Sequence, residues 1–235
     1  MKKRLTLVVG SLLMLVVPAA AEPAPLAAVN SAGVERDPWL SPDGYTLYFA
    51  SNRSGGGFDI YQSQWDGHQW SQPKALGSHV NSDFDDIRPS LSADGRRLLF
   101  VSHRGRFYRG VWICDRQPDG SWGQARYVTV DEQPAVDDAV IGRDGRTIFY
   151  KRISKNQPPT DRRWDMCMKY DPRRRFWEVP RPYHGPLPEN HVPGAFWRFS
   201  VKDGDIYVEA ATEAEPQKTD VPEVLNCLKT SSLYG

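Results

Sequence analysis

Hydrophobic positions along this chain fall in short, β-prone runs broken by turn-forming residues, and the runs recur at a nearly fixed spacing. Leu47-Tyr48-Phe49, Leu98-Leu99-Phe100, Ile148-Phe149-Tyr150 and Ile206-Tyr207-Val208 each follow an Asp-Gly pair. The pairs stand at Asp43-Gly44, Asp94-Gly95, Asp144-Gly145 and Asp203-Gly204, in steps of 51, 50 and 59 residues. Asp-Gly flanked by two such runs predicts a hairpin, because both turn residues tolerate positive φ. A third run follows in the first three units: Asp59-Ile60-Tyr61, Gly110-Val111-Trp112 and Asp165-Met166-Cys167. Trp70, Trp122 and Trp177 then open a fourth, with Pro73 and Pro180 placed where an outer edge strand permits proline.

Each unit of about 50 residues is thus expected to be four short antiparallel strands. Such a sheet leaves apolar faces uncovered, and stacking the sheets radially covers them. The predicted fold is all-β: a β-propeller of four-stranded antiparallel blades with about four repeats. Asn30, Asn81 and Asn190 each lie 13 residues before an Asp-Gly pair, and Leu26 and Val29 match Leu76 and Val80. Residues 24–31 therefore read as an outer strand without its own first three, expected to pair with the last unit. In that last unit, residues 196–200 are expected to be the first strand, Asp203-Gly204 the first turn, and residues 221–228 the source of a third strand. A ring closed by the N-terminus and an incomplete ring both stay open.

The first residues have a different character. Lys2, Lys3 and Arg4 precede an apolar run from Leu5 to Val17, and Ala19-Ala20-Ala21 follow Pro18. This is the layout of a secretory signal peptide over residues 1–21. The run is shorter than the roughly 20 residues a spanning helix needs, so no transmembrane segment is expected. The repeat domain is taken as 22–212 and the tail as 213–235. Cleavage would move the net charge from +1 to −2, since residues 1–21 carry three basic and no acidic groups. That balance gives no reason to expect nucleic-acid or anionic-membrane binding. A local basic group, Arg162, Arg163, Arg173, Arg174 and Arg175, reads as two solvated hairpin turns or as a patch for an anionic partner. The chain has three cysteines, an odd number for an oxidising compartment. Cys114 and Cys167 fall in third strands of neighbouring blades and are not expected to bond; Cys227 is the remaining partner for either.

The Ser41-Pro42-Asp43-Gly44 turn, the run Leu47 to Arg53, Gly55-Gly56-Gly57-Phe58-Asp59-Ile60-Tyr61 and Trp70-Ser71-Gln72-Pro73 together resemble one repeat of the TolB-like β-propeller family. The second unit keeps Ser92-Ala93-Asp94-Gly95 and Ser102-His103-Arg104; the third and fourth depart more. The resemblance covers roughly residues 24–212 and implies the fold. It implies a function only broadly: such repeats occur in periplasmic partner-binding proteins, in peptidoglycan-linked envelope proteins, and in some hydrolases and lyases.

Motifs for catalysis are missing: the chain has no G-x-S-x-G, H-E-x-x-H, P-loop or EF-hand signature. The five histidines, at 68, 79, 103, 184 and 191, are scattered; His103, beside Arg104, is the functional candidate among them. Carboxylates lie just before the first strands, in the loops that enter them: Asp37, Asp85, Asp86, Asp137 and Asp138. In a propeller these strands line the axis, so the five are expected to converge at one mouth. There they would bind a basic partner segment or a hard cation such as calcium, with no other cofactor implied, unless the nearby arginines, especially Arg36 and Arg88, already neutralise them. Arg53, Arg104 and Arg152, read as matching positions after the second strands, are the predicted companions; Arg53 and Arg104 are taken as binding residues. The expected function is a non-catalytic, exported envelope or periplasmic binding module for an envelope protein or small ligand. A propeller enzyme acting on polysaccharide is the second reading.

Overall fold

The computed structural model describes residues 24–104, 109–128, 136–152, 166–174, 176–183 and 197–210. The predicted leader, Arg162, Arg163, Arg175, Cys227, residues 221–228 and the rest of the tail lie outside them. Sixteen strands are described: β1 (Ala24–Pro25), β2 (Glu35–Leu40), β3 (Thr46–Ser51), β4 (Asp59–Gln64), β5 (Lys74–Ala75), β6 (Asp86–Leu91), β7 (Arg97–Ser102), β8 (Gly110–Asp115), β9 (Arg126–Val128), β10 (Val136–Ile141), β11 (Thr147–Arg152), β12 (Met166–Asp171), β13 (Phe176–Trp177), β14 (Arg181–Pro182), β15 (Trp197–Lys202) and β16 (Asp205–Ala210). They form four antiparallel sheets: β2-β3-β4-β5, β6-β7-β8-β9, β10-β11-β12-β13 with β14 also on β12, and β1-β16-β15. These are the blades of an all-β propeller. No strand pairing joins the third sheet to the last, as would close a ring, among the described residues.

The three predicted Asp-Gly turns share one mechanism. Gly44, Gly95 and Gly145 take φ of 78°, 66° and 63°. The Asp carboxylate accepts the backbone N–H two residues on: Asp43 from Tyr45 at 3.0 Å, Asp94 from Arg96 at 3.0 Å, Asp144 from Arg146 at 2.9 Å. In the first two, the Ser before it accepts the first N–H of the next strand, at 2.8 Å for Thr46 and 3.0 Å for Arg97. The side chains satisfy what the chain reversal leaves unpaired.

The second strands are buried on both faces, and alternation assigns each face to a different neighbour. Leu47 and Phe49 pack with Leu26, Val29, Trp70 and Ile206, between the last sheet and the first. Tyr48 faces the other way, with Ile60, Leu91, Leu98, Phe100 and Trp122, between the first sheet and the second. Leu99 and Val101 join Val111, Val136, Ile148 and Tyr150 between the second and the third. Fully burying one such side chain is worth about 1.5–3 kcal/mol, so these three layers dominate the stabilisation.

The N-terminal segment does pair with the last unit. Ala24 lies opposite Val208 and Pro25 opposite Tyr207. The Asn30 side chain exchanges two hydrogen bonds with the Ile206 backbone, at 3.0 and 2.9 Å. Asn81 does the same with Ile60, at 2.9 and 3.0 Å. Ile60 is on a third strand, so β16 holds the third-strand position, not the second. This corrects the expected register of the last unit. Residues 197–202 are its second strand, and the 203–204 turn joins second to third. That turn is a two-residue hairpin, with Lys202 opposite Asp205 and both Asp203 and Gly204 at positive φ. The identical Asp-Ile-Tyr triplets at 59–61 and 205–207 carry the true register. Asn190, predicted to match Asn30 and Asn81, lies outside the described residues.

Candidate functional site at the first-strand mouth

Each blade has two ends. At the upper end the chain comes into its first strand and passes from second to third; at the lower end lie the first-to-second and third-to-fourth turns. The predicted site residues belong to the upper end, where the structure separates them into two groups.

The first group is built into the blades. Glu35 opens β2 fully buried, and its carboxylate accepts from Ser31 N and Oγ, Ser51 Oγ and Arg53 Nη2, at 2.7–3.1 Å. Arg53 also donates to Val29 O at 2.6 Å and lies over the Phe49 and Tyr61 rings. The second blade repeats this: Asp86, fully buried, accepts from Ser82 N and Oγ and pairs with Arg104 at 2.6 Å. Arg104 donates to Val80 O and lies over Phe100 and Trp112. Three predicted binding residues, Arg53, Arg104 and Asp86, are therefore parts of an internal lock that ties the preceding outer segment to the blade. Burial of ions is tolerated here because their bonding is satisfied in place. The third blade has Val136, fully buried, where the lock acid stands. Arg152 pairs with Val136 as Ser51 pairs with Glu35, so it is two positions short of matching Arg53 and Arg104.

The second group faces the mouth. The pairing registers make Asp37, Arg88 and Asp138 equivalent, each at a β-bulge of an inner strand. The five acids therefore do not form a ring of like positions. Asp37 and Arg88 hold φ of 53° and 55°, a conformation uncommon for residues other than glycine and found at functional positions. Arg88 Nη1 pairs with Asp138 Oδ2 across two blades, and Arg36 Nε pairs with Asp37 at 2.9 Å. Arg88 Nε is buried without a hydrogen-bond partner among the described residues. Asp85 bridges blades: Oδ1 accepts Phe58 N at 2.9 Å and Oδ2 lies 3.2 Å from His103 Nδ1. Arg109 Nε donates to His103 Nε2, so the imidazole proton sits on Nδ1, facing Asp85. Asp137 lies within β10, and its side chain is outside the description. An open hollow beside this group is lined by Val34, Glu35, Arg36, Asp37, Val201 and Gly204.

The expected like-charge crowding is thus relieved internally, since Asp37, Asp85, Asp86 and Asp138 each face a basic group. Among the described residues, no three His, Cys, Asp or Glu side chains gather so as to hold a metal ion. Arg36 and Arg88, expected from the sequence as neutralising groups, do pair with Asp37 and Asp138, whereas sequence reasoning missed Glu35 as the acid of the first lock. The Ser-x-x-x-Glu and Ser-x-x-x-Asp spacings at 31–35 and 82–86 were the available signal. Cys114 is a free buried thiol, pushed up to about 12 by burial, whereas Cys167 is disulfide-bonded. The two are therefore not joined, as expected.

Sheets stacked in this way, with a charged mouth over the inner strands, define a module of propeller-type blades. Among solved structures, the chain is similar to TolB from Acinetobacter baumannii, with 16% identity, a TM-score of 0.40, and 76% of this chain and 44% of that one covered. It is similar to a putative TolB from Agrobacterium tumefaciens, at 20% identity and TM-score 0.45, covering 78% and 60%. It is also similar to a puromycin-hydrolyzing peptidase from Mycobacterium tuberculosis, at 16% and 0.44, covering 78% and 29%. The chain spans less than two thirds of each. No family model and no curated relative matches it.

Proposed function

We propose that this chain is an exported, non-catalytic binding module of the bacterial envelope, and that a protein or small ligand seats on the mouth around Asp37, Arg88 and Asp138. The supporting observation is the pair of positive-φ residues at equivalent bulges, Asp37 and Arg88, which present opposite charges at the inner strands. Backbone strain of this kind costs of order 1–3 kcal/mol and persists where it serves a site. A mouth of mixed sign suits a partner that offers both a carboxylate and a basic group, such as a peptide segment. The His103 imidazole, with Arg109 on Nε2 and Asp85 at Nδ1, has neither nitrogen free to act as a base, which favours binding over catalysis.

The test is affinity capture from envelope extract with the wild type and with Asp37→Ala, Arg88→Ala and Asp138→Ala. One partner lost by all three variants, with folding intact, supports the reading. Turnover of a cell-wall or plant polysaccharide would replace it with the enzyme reading. A partner retained by all three would move the site elsewhere.

A further inference from the structure

At the lower end of the blades, charge is segregated in a way the net balance hides. There the two turns of each blade are tied together: Trp65 N to Tyr45 O, Arg116 N to Arg96 O and Tyr170 N to Arg146 O, all at 2.8 Å. In the first blade these turns, residues 41–46 and 64–73, hold Asp43, Asp66 and His68 and contain neither Lys nor Arg. In the second and third blades, Arg96, Arg116, Arg143, Arg146, Arg173 and Arg174 are all exposed at this end.

The two basic blades present one continuous surface. Ala93 N bonds Arg143 O at 3.2 Å, and Arg97 reaches across to Gly145 O at 2.7 Å and over the Tyr170 ring. Acids in these turns are committed to the turns themselves. Asp94 holds Arg96 N and the Ser92 hydroxyl, Asp144 holds Arg146 N and Thr147, and Asp171 holds Arg173 N and Arg174 N. The guanidinium groups of Arg96, Arg146 and Arg173 make no ion pair among the described residues, and Arg174 only a 3.9 Å one.. Beside this surface, on the outer edge of the third blade, Phe176 and Val179 are 45% and 79% exposed.

We propose that the lower end of the second and third blades docks on an anionic phospholipid bilayer. The arginines meet headgroup phosphates, and Phe176 and Val179 reach the apolar boundary beneath. Guanidinium forks suit phosphate oxygens, and basic groups flanking exposed apolar side chains are the pattern of an interfacial contact. The basic groups spread over two blades, which fits a broad array of phosphates better than one small anion. In this pose the mouth points away from the bilayer.

The test is co-sedimentation of the full mature chain with vesicles of phosphatidylcholine alone, or with one third phosphatidylglycerol. Binding is expected only to the second, falling as salt rises. Combined Arg96→Gln, Arg146→Gln, Arg173→Gln and Arg174→Gln should weaken it at least about tenfold, since each basic group near an anionic surface adds to the attraction. Combined Phe176→Ser and Val179→Ser should weaken it without changing the salt dependence. If the fourfold variant loses its cooperative urea transition, Arg173→Gln with Arg174→Gln serves in its place. No binding, equal binding to neutral vesicles, or no loss in the arginine variant overturns the proposal. So does retention on heparin without vesicle binding, which would indicate a soluble polyanion.

Discussion

The first two blades and the third solve one packing problem with opposite chemistry. Where β2 and β6 begin, a buried acid meets an arginine from beyond the second strand, together with two serines in each case. Where β10 begins, Val136 fills the same position. A buried ion pair is often no more stabilising than apolar residues of similar volume, but breaking one half of it is expensive. The lock therefore adds directional bonding more than net stability: Arg53 and Arg104 grip Val29 O and Val80 O, fixing where the preceding outer segment lies. The third blade has the packing without that grip.

The largest expected effect breaks the lock on one side. Asp86→Ala leaves the half-buried Arg104 without its counter-ion and should cost about 3–5 kcal/mol in urea unfolding. Asp86→Val combined with Arg104→Met, which copies the third blade, should recover most of that loss. Equal damage from single and double variants would show that the ion pair is worth more than its apolar substitute. Next, Asn30→Ala and Asn81→Ala should each cost about 1–3 kcal/mol, by leaving the Ile206 and Ile60 backbone groups unsatisfied. Similar costs sharpen the equivalence of the last blade with the first; an unaffected Asn30→Ala protein would dissolve it. Gly204→Ala, at φ 88°, should cost about 1 kcal/mol by melting temperature.

The smallest effect concerns Asp59, whose pKa is raised by burial first and by the charge of Asp86 second. A raised folded-state value means that the ionised form destabilises. Its contribution is unfavourable at neutral pH, and the penalty disappears as pH falls through the raised value toward the ordinary carboxylate range. Asp59→Asn should thus be slightly more stable at neutral pH and indistinguishable in acid, as read from paired melting curves. If Asp59→Asn loses stability at neutral pH, its hydrogen bonding outweighs its desolvation. A covalent check needs no mutation: non-reducing peptide mapping should pair Cys167 with Cys227, the one other cysteine besides the free Cys114.

What the sequence disclosed follows from which interactions are local. The Asp43, Asp94 and Asp144 turns were legible because the carboxylate bonds its own chain two residues on. The outer-strand role of residues 24–31 was legible because Asn30 and Asn81 sit in like contexts. The register of the last unit was not. Asp203-Gly204 resembles the other pairs in composition but makes a tighter hairpin between a different pair of strands. At the mouth, the acids and the neutralising Arg36 and Arg88 were visible, but which acid Arg88 meets and that Asp85 meets His103 and Phe58 were not, because those pairings are tertiary contacts alone.

The strand contributed by residues 24 and 25 also bears on how the chain folds. Asn30 and Ile206 are 176 residues apart, and the last sheet lacks its outer strand until they meet. The earliest residues of the folded domain must therefore wait, unpaired, until almost the whole chain has been delivered. Such long-range pairing makes assembly slow, because the entropy of closing the loop is lost before the contact rewards it. From its own arrival until that pairing forms, β16 is an unpaired strand edge, open to strands of other chains. The chain should accordingly aggregate most readily after β16 has arrived and before residues 24 and 25 join it, and a protein truncated before residue 205 should leave residues 24 and 25 with nothing to join.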